Sequence, residues 1–299
     1  MIHTVLGEIA ADDVTGAYLH EHLIIESLIV REQMPHIYLD NIEAAVAEVN
    51  ECKSFGVNLF VDCMPGESGR SIEKLKEISN RSNTHIVAAT GMHNPKYYQS
   101  DSKYLKGDRE FFAEIFTKEL SEVCGLIKIH SLGERLSPLE RELFAGAVEA
   151  QKATGAPILT HCEDGTGAIA QITEFENLKA NLSQIVLSHT DKNPDFGYHR
   201  EILASGVNVE YDQSLRQKEL KIKSSLDLTV AMCNSGFTAQ IMLGTDGARR
   251  SLWRSLGGSP GLAWLASGWR ELLESAGLSK ATLDSLYREN PRRFLTWNQ

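Results

Sequence analysis

Six side chains of types that bind metal ions fall at or near the ends of short apolar runs. They are His20, His22, Lys128, His161, His189 and Asp246. His20 and His22 are two residues apart, so on a β-strand both would point to one face, with Cα atoms about 6–7 Å apart. Two imidazoles at that spacing can bind one ion at ~2.0–2.1 Å from each nitrogen. An isolated pair of this kind is weak evidence, but four histidines and an aspartate at matching strand ends indicate a shared metal site.

Lys128 is the unusual member of this set, because it stands between Ile127 and Ile129 in an apolar stretch. A charged, unpaired amine is costly in such surroundings, and burial would lower its pKa from ~10.4. A neutral amine can capture CO2 as a carbamate, an anion able to bridge two metal ions. The alternatives are that Lys128 is simply buried in its neutral form, or that it pairs with Asp246 or Glu21. The residues alone do not decide among these interpretations.

The elements that must position these residues are short apolar runs alternating with longer amphipathic segments. The predicted strands are residues 17–25, 56–63, 85–91, 125–130, 157–161, 184–189, 206–211 and 240–246. Most are rich in Val, Ile and Leu, as strands buried on both faces should be. Helices are predicted at residues 40–55, 67–81, 109–123, 137–154, 167–182, 195–205, 217–235 and 261–276, with a short further helix at 279–293. Asp40 is the candidate N-cap of the first helix, and Ser137 with Glu140 has the pattern of a capping box.

Eight strand–helix alternations predict a parallel sheet of the α/β class. We predict a closed (β/α)8 TIM barrel that forms a single domain over residues 1–299. In such a barrel catalytic groups come from the carboxyl ends of several strands, which would bring the six residues together. The alternative is an open doubly wound sheet, which would not bring strands one, four, five, six and eight to one point.

Composition narrows the function classes. The chain has 30 Lys and Arg against 40 Asp and Glu, a formal charge of −10, which disfavours nucleic acids and anionic membranes as partners. No stretch approaches ~18 consecutive apolar residues, and the amino-terminal residues lack a signal-peptide pattern. The five scattered cysteines, without a CxxC pair, favour a reducing compartment. We therefore expect a cytoplasmic protein with a small-molecule substrate. Trp264, Trp269 and Trp297 could support a homodimer interface, with core packing as the alternative.

The ordered motifs resemble the phosphotriesterase family of the amidohydrolase superfamily, nearly from end to end. They are TVLG at 4–7, LHEHL at 19–23, GLIKI at 125–129, TH at 160–161, LSH at 187–189, GTD at 244–246 and ENPRRFL at 289–295. Each piece is weak alone, whereas the ordered set is highly specific.

The resemblance implies a TIM barrel with two divalent metal ions, usually zinc, although manganese, cobalt or iron suit such ligands as well. By this resemblance His20, His22 and Asp246 hold the more buried ion, and His161 and His189 hold the more exposed one. An N6-carboxylated Lys128 bridges the two ions together with a hydroxide. Asp246 accepts the hydroxide proton and delivers it to the leaving alkoxide, so Asp246 and Lys128 are the implied catalytic residues. Some family members have Glu in place of this lysine, and its retention here supports the carbamate.

The loops resemble the subgroup that opens phosphorylated sugar lactones, at DGARR (246–250), WRSLGGSPG (253–261) and HTDKNPD (189–195). The candidate substrate-binding residues are Arg216, Arg249, Arg250, Arg254, Tyr97, Tyr98 and His93. An arginine fork matches two phosphate oxygens, although these arginines could equally form salt bridges at the barrel rim. Many lactonase members have an aromatic residue directly after the glycine that ends strand three, whereas here Met92 follows Gly91.

Other histidines have weaker claims to function. His130 has a modest chance of touching substrate, and His3, His36, His85 and His199 are expected at the surface or in a second layer. The expected reaction is lactone hydrolysis, on a sugar lactone with or without a phosphate. Phosphoester or phosphotriester hydrolysis on the same metals is the alternative, and a non-catalytic small-molecule-binding barrel is the alternative from another class.

Overall fold

The computed structural model describes residues 1–217 and 224–297 and contains ten strands. A small antiparallel hairpin of β1 (Ile2–Thr4) and β2 (Gly7–Ile9) precedes the barrel. The barrel strands are β3 (Ala17–Glu21), β4 (Leu59–Asp62), β5 (His85–Gly91), β6 (Cys124–Ser131), β7 (Ile158–Cys162), β8 (Ile185–Ser188), β9 (Asn208–Tyr211) and β10 (Ile241–Leu243). All eight predicted strands are therefore confirmed, several of them shorter than predicted.

The eight barrel strands are parallel and lie in chain order from β3 to β10. The two end strands meet where the backbone N–H groups of Thr245 and Asp246 donate to the carbonyl of His20, at 3.1 and 3.0 Å. These bonds join the segment after β10 to β3, so the sheet curls into a nearly closed barrel. The predicted TIM barrel is confirmed, and the open doubly wound sheet is excluded.

Helices surround the barrel. They are α1 (Leu28–Gln33), α2 (Ile42–Ser54), α3 (Ile72–Ser82), α4 (Arg109–Glu122), α5 (Pro138–Thr154), α6 (Ala168–Asn177), α7 (Phe196–Ala204), α8 (Ser224–Met232), α9 (Arg270–Ser275), α10 (Lys280–Asp284) and α11 (Asn290–Leu295). Part of the helix predicted at 217–235 lies outside the described residues. No described helix is long and apolar enough to cross a membrane.

Several predicted helix boundaries were wrong, for local reasons. Asn41, and not Asp40, caps α2, because its side chain accepts from the Ala44 N–H. The helix predicted from residue 67 begins at Ile72, since Glu67 has a left-handed backbone with φ of 58°. The segment predicted as one helix at 261–276 contains a 3-10 turn, a π turn and then α9. The capping box at Ser137 and Glu140 formed as predicted.

Side chains alternate between two apolar layers along the barrel strands. Leu126, Leu159, Val186 and Met242 pack in an inner cluster, whereas Ile127, Ile129, Val209 and Tyr211 pack in an outer cluster against the helices. The period of two along a strand therefore places Lys128, Ser188 and Glu210 on the inner face. The polar side chains at the carboxyl ends of the strands therefore rest on this apolar inner layer.

All five cysteines are buried and unpaired. Trp269 is buried in the outer cluster, so core packing accounts for it. Trp297 stacks on His3 with ring centroids 3.6 Å apart. The homodimer therefore stays a prediction.

Candidate active site

The carboxyl ends of the strands surround a cavity of about 510 Å³. Five of the six predicted metal-binding residues line it, namely His20, His22, His161, His189 and Asp246. Lys128 lies at its base and is only 1% exposed. The barrel thus brings residues from or near the ends of β3, β6, β7, β8 and β10 to one place.

His20, His22 and Asp246 form the first group. Oδ1 of Asp246 lies 3.5 Å from Nε2 of His22 and 4.0 Å from Nε2 of His20. Arg216 donates to Oδ2 of Asp246 at 2.9 Å. Burial by itself would raise the pKa of Asp246, but Arg216 and the neighbouring histidines hold that pKa well below its usual range. The carboxylate is therefore ionised, as a metal ligand must be.

His161 and His189 form the second group, with ring centroids 4.3 Å apart. Each ring has a carboxylate behind it. Nδ1 of His189 lies 2.7 Å from Oδ2 of Asp212, and Nε2 of His161 lies 2.7 Å from Oε2 of Glu163. The two groups are adjacent, since the ring of His20 in the first group lies 4.8 Å from the ring of His189 in the second.

Lys128 lies beneath both groups, where Nζ is 3.4 Å from Oγ of Ser188. Burial lowers the pKa of Lys128, although Cys63, Glu210 and nearby aspartates oppose that shift. The predicted alternative of a pair with Glu21 does not form, because Glu21 accepts from the backbone N–H and hydroxyl of Thr245. A buried amine whose pKa is lowered by desolvation fits carbamate formation.

The donor set fits a divalent metal ion. His20, His22 and Asp246 each offer one ligand atom within 4.8 Å of the others, and so do His20, His189 and Asp212. Burial lowers the pKa of His20, His161 and His189, which favours the neutral imidazole that binds metals. These features are typical of ligands prepared for an ion.

A family model for the phosphotriesterase family matches residues 1–295. The chain belongs to the phosphotriesterase family. It is 26% identical to the phospho-furanose lactonase of Mycoplasmopsis agalactiae, over 100% of this chain and 92% of that protein. It is 24% identical to the aryldialkylphosphatase of Saccharolobus solfataricus, over 96% and 97% of the two chains. A solved structure of an amidohydrolase from Mycoplasma synoviae has a TM-score of 0.94 at 25% identity, covering 100% of this chain and 92% of that one. The protein is a hydrolase of this family, as the resemblance implied.

In this phosphotriesterase family member, four of the predicted substrate-binding residues line the cavity, namely His93, Tyr97, Arg216 and Arg249. The ring of His93 lies 4.7 Å from that of Tyr97 and 5.2 Å from that of His161. His36, which we expected at the surface, is exposed and also lines the rim.

Three other predicted substrate-binding residues do not line the cavity. Tyr98 is buried in the wall, where its hydroxyl accepts from the His93 N–H. Arg250 donates to the carbonyl of Tyr38, and Arg254 forms an ion pair with Glu51. Each of these three side chains has its partner elsewhere, so the structure places none of them in the cavity lining. His130 is likewise buried, with Nδ1 at 3.1 Å from the carbonyl of Met92.

Sequence reasoning missed the carboxylates on and near β9. Glu210 and Asp212 are buried on its inner face, and Asp191 accepts from the backbone N–H groups of Asp212 and Gln213. Burial, together with Asp212, raises the pKa of Asp191 to about 7. Burial and Asp212 also raise the pKa of Glu210 well above its usual value. The alternation of Asn208, Glu210 and Asp212 with apolar residues was the signal that could have revealed them.

Two lysines at the mouth were also missed. Lys96 and Lys192 line the cavity beside Arg216 and Arg249, facing Glu163. They come from the loops after β5 and β8, where no sequence pattern predicts the direction of a side chain.

Proposed function

We propose that this protein hydrolyses the lactone ring of a phosphorylated furanose sugar. The observation that carries the proposal is a single cavity that joins a His and Asp metal-ligand group to four basic side chains. The names of the relatives support the same chemistry, since one of them is a phospho-furanose lactonase. A cavity of about 510 Å³ is in the range that encloses small-molecule ligands.

Two divalent metal ions, zinc by preference for imidazole, complete the site in this proposal. His20, His22 and Asp246 would hold one ion, His161 and His189 would hold the other, and Lys128, once N6-carboxylated, would supply oxygen ligands to both. When bound, such a pair supplies the Lewis acidity that activates water and polarises a carbonyl oxygen. The protein's own part is to fix the ligands and to exclude competing groups from the barrel interior.

Asp246 moves the proton. Its ionised carboxylate lines the cavity, where it accepts a proton from the attacking water and returns it to the ring oxygen that leaves. Arg216 orients this carboxylate, because it donates to Oδ2 and to the main-chain carbonyl of Asp246. Arg216 is therefore assigned to Asp246 and not to the substrate phosphate.

Arg249, Lys96 and Lys192 remain to bind the phosphate. Arg249 presents a planar fork of donors, whereas the two lysines act as point charges. In a chain of formal charge −10, these three cations outnumber Glu163 and Asp164, the acidic side chains that line the mouth beside them. A substrate with one anionic end and one electrophilic carbonyl matches the two halves of the cavity.

Phosphotriester hydrolysis is the second candidate. An aryldialkylphosphatase among the relatives supports it, and attack at phosphorus needs the same activated water. The rim cations favour an anionic substrate, and therefore the phosphorylated lactone over a neutral triester.

The test is a steady-state assay on γ-lactones of pentonates, with and without a 5-phosphate, and on a paraoxon-like triester. The protein is reconstituted with zinc and bicarbonate. We expect the highest kcat/KM on the phosphorylated lactones. Absence of lactone turnover would overturn the proposed lactonase activity. Equal kcat/KM on lactones with and without the phosphate would overturn the proposed binding of the phosphate by the rim cations.

A further inference from the structure

Glu210 is a buried carboxylate that the proposed reaction does not use. It lies on the inner face of β9, in register with Ser188 of β8 and Met242 of β10, and it is 0% exposed. Its Oε2 atom is 3.3 Å from Nδ1 of His20. The residue therefore lies directly behind one of the metal-binding imidazoles.

Glu210 and Nδ1 of His20 are each available to the other as a hydrogen-bond partner. Among the described residues, neither oxygen of Glu210 makes a hydrogen bond, and Nδ1 of His20 makes none either. The other carboxylate close to His20 is Asp212, whose Oδ2 is farther away, at 4.0 Å. Asp212 already accepts from the backbone N–H of His189 at 3.0 Å, and its Oδ2 also lies 2.7 Å from Nδ1 of that residue. Buried polar groups without partners are rare, so this pair requires an explanation.

Space for the Glu210 carboxyl is left by a glycine. A Cβ atom on Gly244 would lie 2.3 Å from Oε1 of Glu210 and 2.8 Å from Cβ of His20. Any larger residue there would push the carboxyl group and the imidazole apart. The backbone is thus built to admit both side chains at this point.

The two ring nitrogens of His20 face different carboxylates. Nε2 faces Asp246, at 4.0 Å, and Nδ1 faces Glu210. A ligating histidine generally donates its second N–H to a carboxylate, a carbonyl or water, which fixes the tautomer and the ring orientation. His189 with Asp212 and His161 with Glu163 show the same arrangement.

We propose that Glu210 is a positioning residue for the metal site: it accepts from the Nδ1–H of His20, so that Nε2 carries the lone pair directed at the ion. This inference rests on the metal site of the proposed function. The 3.3 Å between the two atoms is within hydrogen-bond distance, so only the orientation of the imidazole would have to change for the bond to form. The rival arrangement has Glu210 bonded to Asp212, in which case its loss would act on His189 instead.

The test compares Glu210→Leu and Glu210→Met with the conservative Glu210→Gln in the full chain. Zinc affinity is measured by competition with a chromophoric chelator, and the two sites are distinguished by 113Cd NMR. We expect Glu210→Leu and Glu210→Met to weaken one site about 10- to 100-fold, as loss of such outer partners typically does. Glu210→Gln keeps an acceptor oxygen and should stay within about threefold of wild type.

The weakened site must be the one that a His20→Ala variant also removes. Unchanged affinity at both sites, or a change confined to the site that His189→Ala removes, overturns the inference. Thermal unfolding of the metal-free variants separates positioning from folding, since removing an unpaired buried carboxylate should not lower the melting temperature. A wild-type chain that binds no zinc would overturn the metal site itself, whereas a metal-binding chain without lactonase activity would leave this inference standing.

Discussion

His161 and Glu163 are two residues apart, and Nε2 of the histidine lies 2.7 Å from Oε2 of the glutamate at the cavity mouth. The hydrogen bond from His161 holds the pKa of Glu163 at about 2, even though burial opposes that shift. One ring nitrogen is therefore occupied, which leaves Nδ1 for an ion.

Glu163→Ala should consequently weaken the second metal position, formed by His161 and His189, by about 10- to 100-fold. Zinc titration against a chelator measures the effect. The matched control is Asp164→Asn, because Asp164 also lines the cavity but is not the partner of His161. Equal losses in both variants would mean that the acidic charge of the mouth, and not the contact with His161, supports the ion.

Lys128 provides a prediction about carbon dioxide. Lys128→Ala should lower the affinity for both ions by at least about 100-fold, since outer partners alone contribute up to that factor. Reconstitution of metal-free wild type should be slow in CO2-depleted buffer and should recover on addition of bicarbonate. The measurement is zinc content after desalting, and a Lys128→Ala protein with full zinc content and activity would contradict the carbamate.

Arg249 is predicted to bind the phosphate group of the substrate. Arg249→Met should raise KM for a phosphorylated lactone by roughly 10- to 100-fold, since a hydrogen bond to a charged group contributes ~1.5–3 kcal/mol. KM for the unphosphorylated lactone should not change. Arg254→Met is the matched control, because Arg254 belongs to the same loop but pairs with Glu51. An equal rise on both lactones would assign Arg249 to the sugar or to the fold.

The ion pair of Arg70 and Glu119 predicts how stability depends on pH. Its two hydrogen bonds are 2.9 and 2.8 Å long, and Thr90 donates to the same carboxylate at 2.6 Å. Burial would raise the pKa of Glu119, but Arg70 outweighs it and the pKa is lowered. Because the pKa of Glu119 is lower in the folded state than the ~4.3 of the unfolded state, the ionised carboxylate stabilises the fold at pH values above ~4.3. This stabilisation is lost as the pH falls through the folded-state pKa.

Glu119→Gln should therefore lower the free energy of unfolding at pH 7 by about 1.5–3 kcal/mol, the typical contribution of a hydrogen bond to a charged group, because the pair is partly buried. Denaturant unfolding from pH 7 to pH 3 measures it, and the difference from wild type should shrink below about pH 4. A difference that stays constant over this range would mean that the charge of Glu119 is not responsible.

The barrel and the metal ligands could be predicted because their signals are local. A strand buried on both faces must be apolar, so a histidine or aspartate at its carboxyl end stands out, as His161 and Asp246 do. Parallel closure then brings such ends together without further information. The capping box of Ser137 and Glu140 at the start of α5 is local in the same sense, and it also formed as expected.

The contacts that the sequence did not reveal are made between residues far apart in the chain. Arg254 is held by Glu51, which is 203 residues away, and Arg250 by the carbonyl of Tyr38, which is 212 residues away. Nothing near either arginine in the chain indicates these contacts. Glu210 differs, because its period-two spacing from Asp212 was visible, but its role depends on facing His20 across the barrel.

Anomalous diffraction at the zinc edge, on crystals of protein reconstituted with zinc and bicarbonate, tests the central claim most directly. The account predicts two peaks at the carboxyl end of the barrel, one bound by His20, His22 and Asp246 and one by His161 and His189. Electron density should extend from Nζ of Lys128 to both peaks. A barrel without a peak at these residues, or with one ion that none of the four histidines contacts, would contradict the account.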